Sequence, residues 1–228
     1  MSETYEITIY NESGGTATFL LFQAPPQVGQ GQTVFTNIYQ AGEPVASGEG
    51  KVIFTMTNQF FGVCGTAAQA LNPQVTVQEA ASAAVTLATA NTAGTSLYAT
   101  TFADGTPYFD LSKTTAQATD PGSYQIHTDG SLNYKDDKNP FIGLGCTDPN
   151  TSLEGDPTAV IQPEPNQTYT IYPQVKFWIC EGTYTTNEII DVKAIGEQLE
   201  VDFSDGKFTQ VFTYNDHGVF VPGGPTKH

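Results

Sequence analysis

A chain of 228 residues, 39% of them apolar, is long enough to bury a core of its own, as one large all-β domain or two small ones. It carries 24 acidic residues against 8 basic ones, all of them lysine, for a formal net charge of −16. Without the arginine fork that grips phosphates and guanine edges, and repelled by anionic surfaces, such a chain is expected to bind no nucleic acid and to insert in no membrane. From its start the chain reads in period two, so that "TYEITIY" sets Tyr5, Ile7 and Ile9 on one face, and "TATFLLFQ", "QTVFTNIY" and "GKVIFTMTN" follow as strands. Between Thr66 and Ala93 alanine favours helix, but Pro73 and the β-branched Val75-Thr76-Val77 and Val85-Thr86-Leu87 favour strands, which are expected there. "SLYATTF" and "SYQIHTD" continue the series. The acidic, proline-containing stretch 135–165 reads as extended surface loops.

Beyond it come "QTYTIYP", "KFWICEG", "EIIDVKA", "QLEVDFS" and "KFTQVFTYN", with a flexible tail expected over 222–228. Asp104-Gly105, Asp129-Gly130 and Asp205-Gly206 are turn signals, and "EVDFSDGKFTQVF" has the form of a hairpin turning at Ser204 to Gly206. In "KFWICEG", Phe177 and Ile179 are expected in the core, and Trp178 and Cys180 on the opposite face. The pattern predicts an all-β protein, an antiparallel β-sandwich with long loops and little or no helix, folded as a single domain over 1–228.

Chemistry-bearing patterns are scarce. His127 sits in a strand and His217 in a turn, no metal-binding spacing occurs, and the glycine-rich pieces lack the lysine and helix of a phosphate cradle, so no cofactor, no metal and no catalytic residue is expected. The acidic loop "DGSLNYKDDKN" departs from a calcium loop because Tyr134 stands where glycine is required. A weak glycan platform could be built from tyrosines such as Tyr39, Tyr108 and Tyr134, with Trp178 a further candidate.

Three cysteines, Cys64, Cys146 and Cys180, leave open two readings. They are buried packing residues in a reducing compartment, or they form disulfides within or between molecules in an oxidising one, where an odd thiol points outward. The first residues, "MSETYEITIY", lack the basic and apolar regions of a secretory signal, so synthesis in the cytosol is expected. Self-repulsion at −16 fades toward the pI of about 4.2, so acidity is expected to favour association.

Two blocks carry a resemblance. Tyr5, Ile7, Ile9, Asn11 and Ser13 form an opening strand, and Pro173, Phe177, Trp178, Ile179, Gly182, Tyr184, Glu188, Ile189, Ile190 and Asp191 form a late block; together they resemble the rhizosphere-induced, RhiA-type proteins of bacteria. That resemblance implies a small β-rich protein with no assigned catalytic site, and the cysteines are additions to its pattern. A further resemblance, to the octin-type proteins of vacuolar crystals in mucoromycete fungi, implies an acidic protein packed in a vacuole, where a dense crystal can report gravity; otherwise the expected place is the cytoplasm. The function expected is therefore a non-enzymatic structural protein whose partner is itself, in an ordered array cross-linked by disulfides. The alternative is a secreted or surface glycan-binding module.

Overall fold

A computed structural model describes residues 3–48, 50–149 and 155–225. Its strands are β1 (Thr4–Asn11), β2 (Phe19–Gln23), β3 (Gln27–Val28), β4 (Val34–Asn37), β5 (Gln40–Ala41), β6 (Lys51–Thr57), β7 (Phe60–Ala67), β8 (Val77–Ala84), β9 (Gly94–Thr101) and β10 (Pro107–Phe109). They continue as β11 (Thr115–Ala118), β12 (Tyr124–Thr128), β13 (Pro140–Cys146), β14 (Asp156–Ile161), β15 (Thr168–Tyr172), β16 (Lys176–Glu181), β17 (Ile189–Ile190), β18 (Gln198–Asp202), β19 (Thr209–Tyr214) and β20 (Phe220–Pro222). Two single 3-10 turns, Gly29–Gly31 and Leu111–Lys113, are the only helical elements among the described residues. The protein is all-β and sandwich-like.

Four sheets form it. Their strand orders are β20-β19-β1-β6, then β10-β9-β12-β15-β3 with β11 also on β9, then β17-β4-β14-β13-β7-β8, and β18-β16-β2-β5. Pairing is antiparallel except at β1 with β19 and β12 with β9, which run parallel. The alternation in β1 works as its sequence implies: Tyr5, Ile7 and Ile9 face the main core with Phe54 and Met56 of β6 and Phe212 of β19. In the alanine-rich region the strand is β8, half of it alanine, and Val85-Thr86-Leu87, expected as a strand, lies beyond its end in no strand.

Some strands are covered on both faces. β13 and β14 are buried at every position, as is β2. The reason is a set of smaller clusters outside the main one. Leu71 and Val75 fold over Phe61, Val63 and Phe141, while Ile190 and the partly buried Val192 and Ile195 pack beside Leu20, Phe22 and Cys180. Loops thus provide a second apolar layer on the outer faces of two sheets.

Two expectations are corrected here. The stretch 135–165 is not extended surface loop: β13 and β14 lie inside it as central strands, buried at every position. Gly143 and Gly145, which look like loop residues in sequence, are there because neighbouring backbone runs too close for a side chain; a Cβ on Gly143 would collide with the carbonyl oxygen of Ala159. The hairpin expected at Ser204 to Gly206 is not formed either. Gly206 turns the chain at a φ of 79°, but β18 pairs with β16 and β19 pairs in parallel with β1, in a different sheet. Phe203 decides this by burying its ring against Tyr5 and Phe177, at 4.7 and 6.2 Å between centroids, so the chain crosses from one sheet to another at that corner. Of the expected tail 222–228, Thr226 to His228 lie outside the described residues.

Candidate functional site

The sheet β20-β19-β1-β6 presents an outward face whose composition departs from the rest of this acidic chain. The strand registers align Ile53, Thr8 and Val211 in one row, and Lys51, Tyr10, Thr213 and Val221 in the next. Ile53 is 43% exposed and Val221 38%, and the only charged side chains in these two rows and the next, Thr55, Glu6 and Thr209, are Lys51 and Glu6. Lys51 leans over the Tyr10 ring, its Nζ 5.8 Å from the centroid. Strands β6 and β20 end the sheet, so each presents a backbone edge with no further strand in that sheet. Beside β6 opens a cleft of about 610 Å3 that Ile53 lines together with Glu43, Asp148 and Asp156. Carboxylates thus border an apolar face.

The three cysteines do not reach this face or any other surface. Each is fully buried, and all three are free thiols. Cys64 pairs with Ile142 and Cys146 with Phe60 across β7 and β13, which puts the two thiols four positions apart along the strands, roughly 13 Å at the usual rise and beyond the ~7 Å between Cα atoms that a disulfide can span. Cys180 lies in the separate cluster with Leu20 and Phe22. Burial pushes the Cys146 and Cys180 thiols up to about 12, and that of Cys64 well above the usual range. The expected cross-linking by disulfides is therefore corrected: strand alternation turns these side chains into apolar cores, where cysteine packs as a small hydrophobe. Cys146 Sγ donates to Gln23 Oε1 at 3.3 Å, and Thr158 Oγ1 donates to the same oxygen at 2.8 Å.

The tyrosines expected to form a glycan platform are not brought together as one. Tyr39 is buried, its hydroxyl donating to the Thr147 carbonyl oxygen, so its expected place in a glycan platform is corrected. Tyr108 is half-buried and stacks on the exposed Phe102 at 4.0 Å between centroids, and Tyr134 lies in the loop before β13 under Lys135. Trp178, on the face opposite Phe177 and Ile179, packs edge-on to Phe22 and donates from Nε1 to Glu200 Oε2 at 3.2 Å. His127 and His217 bond Thr168 and Asp216 respectively, away from the cores that hold the thiols. Among the described residues no three metal-ligating side chains cluster, and no helix is long and apolar enough to cross a membrane.

Sequence reasoning missed the outward face itself, because a strand pattern reveals which residues alternate but not which strands lie side by side. The signal available was the low charge of "TYEITIY", "VIFTMT" and "TQVFTY" within a chain of net charge −16. Fold and surface define an all-β, acidic, sandwich-like protein with buried free thiols and a charge-poor face on the β20-β19-β1-β6 sheet. The RhiA family profile matches residues 2–222, nearly the whole chain, and the chain belongs to that family. Searches of curated proteins and of solved structures return no match.

Proposed function

We propose that this member of the RhiA family is a non-enzymatic structural protein that assembles with copies of itself into ordered arrays, by packing the outward face of β20-β19-β1-β6 against a second copy. The observation that carries this reading is the outward face on which Ile53, Val211, Tyr10 and Val221 stand in two adjacent rows over the buried Thr8 and Thr213, with Lys51 the one charged side chain in those rows, on a molecule of net charge −16. Burying Ile53 and Val221 gives a driving force of roughly 25 cal/mol for each Å2 removed from water.

Charge sets when this happens. At neutral pH the net charge of the whole molecule opposes close approach. As pH falls toward the pI of about 4.2 that opposition weakens, while the apolar contact is unchanged. An acidic compartment is the setting that suits this switch, and a vacuolar crystal that can sediment is the version the fungal resemblance implies. No covalent cross-link is needed. Electron microscopy of the purified protein brought to about pH 5 tests the reading: ordered arrays are expected, and a dispersed monomer at high concentration contradicts it.

A further inference from the structure

On a different sheet, the outward side chains of β11, β9, β12 and β15 line a groove of about 260 Å3. Register places Thr115, Ser96 and Gln125 in one row across it, and Tyr98, His127 and Thr168 in the next. Leu97, Ala99 and Ile126 alternate with these into the core and hold the floor rigid. None of the side chains lining this groove is acidic, although the chain has 24 acidic residues.

The groups present suit a polyhydroxylated, uncharged ring. Tyr98 forms a wall of the groove, its ring fixed on both flanks by side chains that take up its faces. His127 lies 5.3 Å from it between centroids, and the Lys113 ammonium stands 4.4 Å from its centroid. Around it are amides, hydroxyls and an imidazole, which both donate to and accept from sugar hydroxyls. His127 Nδ1 is held by Thr168 Oγ1 at 3.0 Å, which orients the ring and turns recognition over to Nε2. The one cation is already neutralised, since Lys113 pairs with Asp110 at 3.3 Å, so an anionic ligand gains little here. The volume lies just under the ~300 Å3 at which sites for drug-sized ligands begin, which fits one sugar ring with its neighbours in solvent.

We propose that this groove is a binding site for a single neutral hexopyranose unit of a glycan. It is separate from the assembly face, and neither depends on the other. Saturation-transfer NMR and calorimetry with cellotriose, maltotriose and mannotriose, and with trigalacturonate as the charged probe, test it. At least one neutral trisaccharide is expected to bind with millimolar affinity, weakened roughly tenfold or more by Tyr98→Ala and by Gln125→Ala, and unaltered by Ile53→Asp on the assembly face. Circular dichroism checks that each variant folds, and His127→Ala replaces Tyr98→Ala if that variant does not. Absence of binding by all three neutral sugars at about 20 mM, binding of trigalacturonate alone, or neutral binding that survives the groove substitutions overturns the proposal.

Discussion

Ile53 of β6 and Val211 of β19 flank Thr8 on the outward face of a single sheet, so two apolar side chains far apart in sequence share one surface, with β1 between them. Ile53→Asp places a charge on the edge strand of that surface. Because Ile53 is 43% exposed, folding stability is expected to change by no more than about 0.5 kcal/mol, while assembly at acidic pH is lost. Urea denaturation and sedimentation velocity read the two effects separately.

The thiols are expected to be silent in the native protein. Cys146 and Cys180 are buried with their thiols raised to about 12, so an alkylating reagent should label them only as the protein unfolds, and reductant should leave arrays intact. Mass spectrometry after iodoacetamide treatment, with and without urea, reads the first. Array turbidity with and without a reducing agent reads the second.

The same burial fixes a pH dependence. These thiols remain protonated in the folded state well above the pH at which they ionise in the unfolded chain, so between about 9 and 12 the folded state binds more protons and stability falls as pH rises. The buried Tyr39 and Tyr124 act in the same direction at higher pH, since burial raises both hydroxyls. Stability from urea melts is expected to be flat from neutral pH to about 9 and to decline above it, and Cys180→Ala should make the decline shallower.

The corner between β18 and β19 separates two kinds of cost. Phe203→Ala removes a buried ring from between Tyr5 and Phe177 and should cost about 3–5 kcal/mol. Gly206→Ala meets no atom within 4 Å but forces alanine to a φ of 79°, and should cost about 1–2 kcal/mol. Urea denaturation of both variants checks the ranking.

Much of the fold was legible. Period two predicted an all-β chain, and "KFWICEG" divided as expected, with Phe177 and Ile179 in the main core and Cys180 and Trp178 on the other side. What could not be read follows from burial on both faces. β13 carries Pro140, Gly143 and Gly145, which look like loop residues, yet their small size lets β7 and β14 close on either side of it. Tyr39 and its neighbour Ile38 are likewise both buried, although strand alternation assigns only one of the two to the core. The Asp205-Gly206 turn was legible, but its partner strands were not, because Phe203 draws the chain into a different sheet. The groove around Tyr98 and His127 joins residues from four strands, two of them running parallel, and sequence spacing carries no trace of that juxtaposition.

Assembly of the unmodified protein as a function of pH is the most direct test of the central claim. Sedimentation velocity and electron microscopy at about pH 7.5 and about pH 5, each with and without reductant, are predicted to give a dispersed protein at the higher pH and ordered arrays at the lower. The arrays should be indifferent to reductant and should disperse when the pH is returned. A protein equally dispersed at both values, or arrays that dissolve on reduction alone, contradicts it.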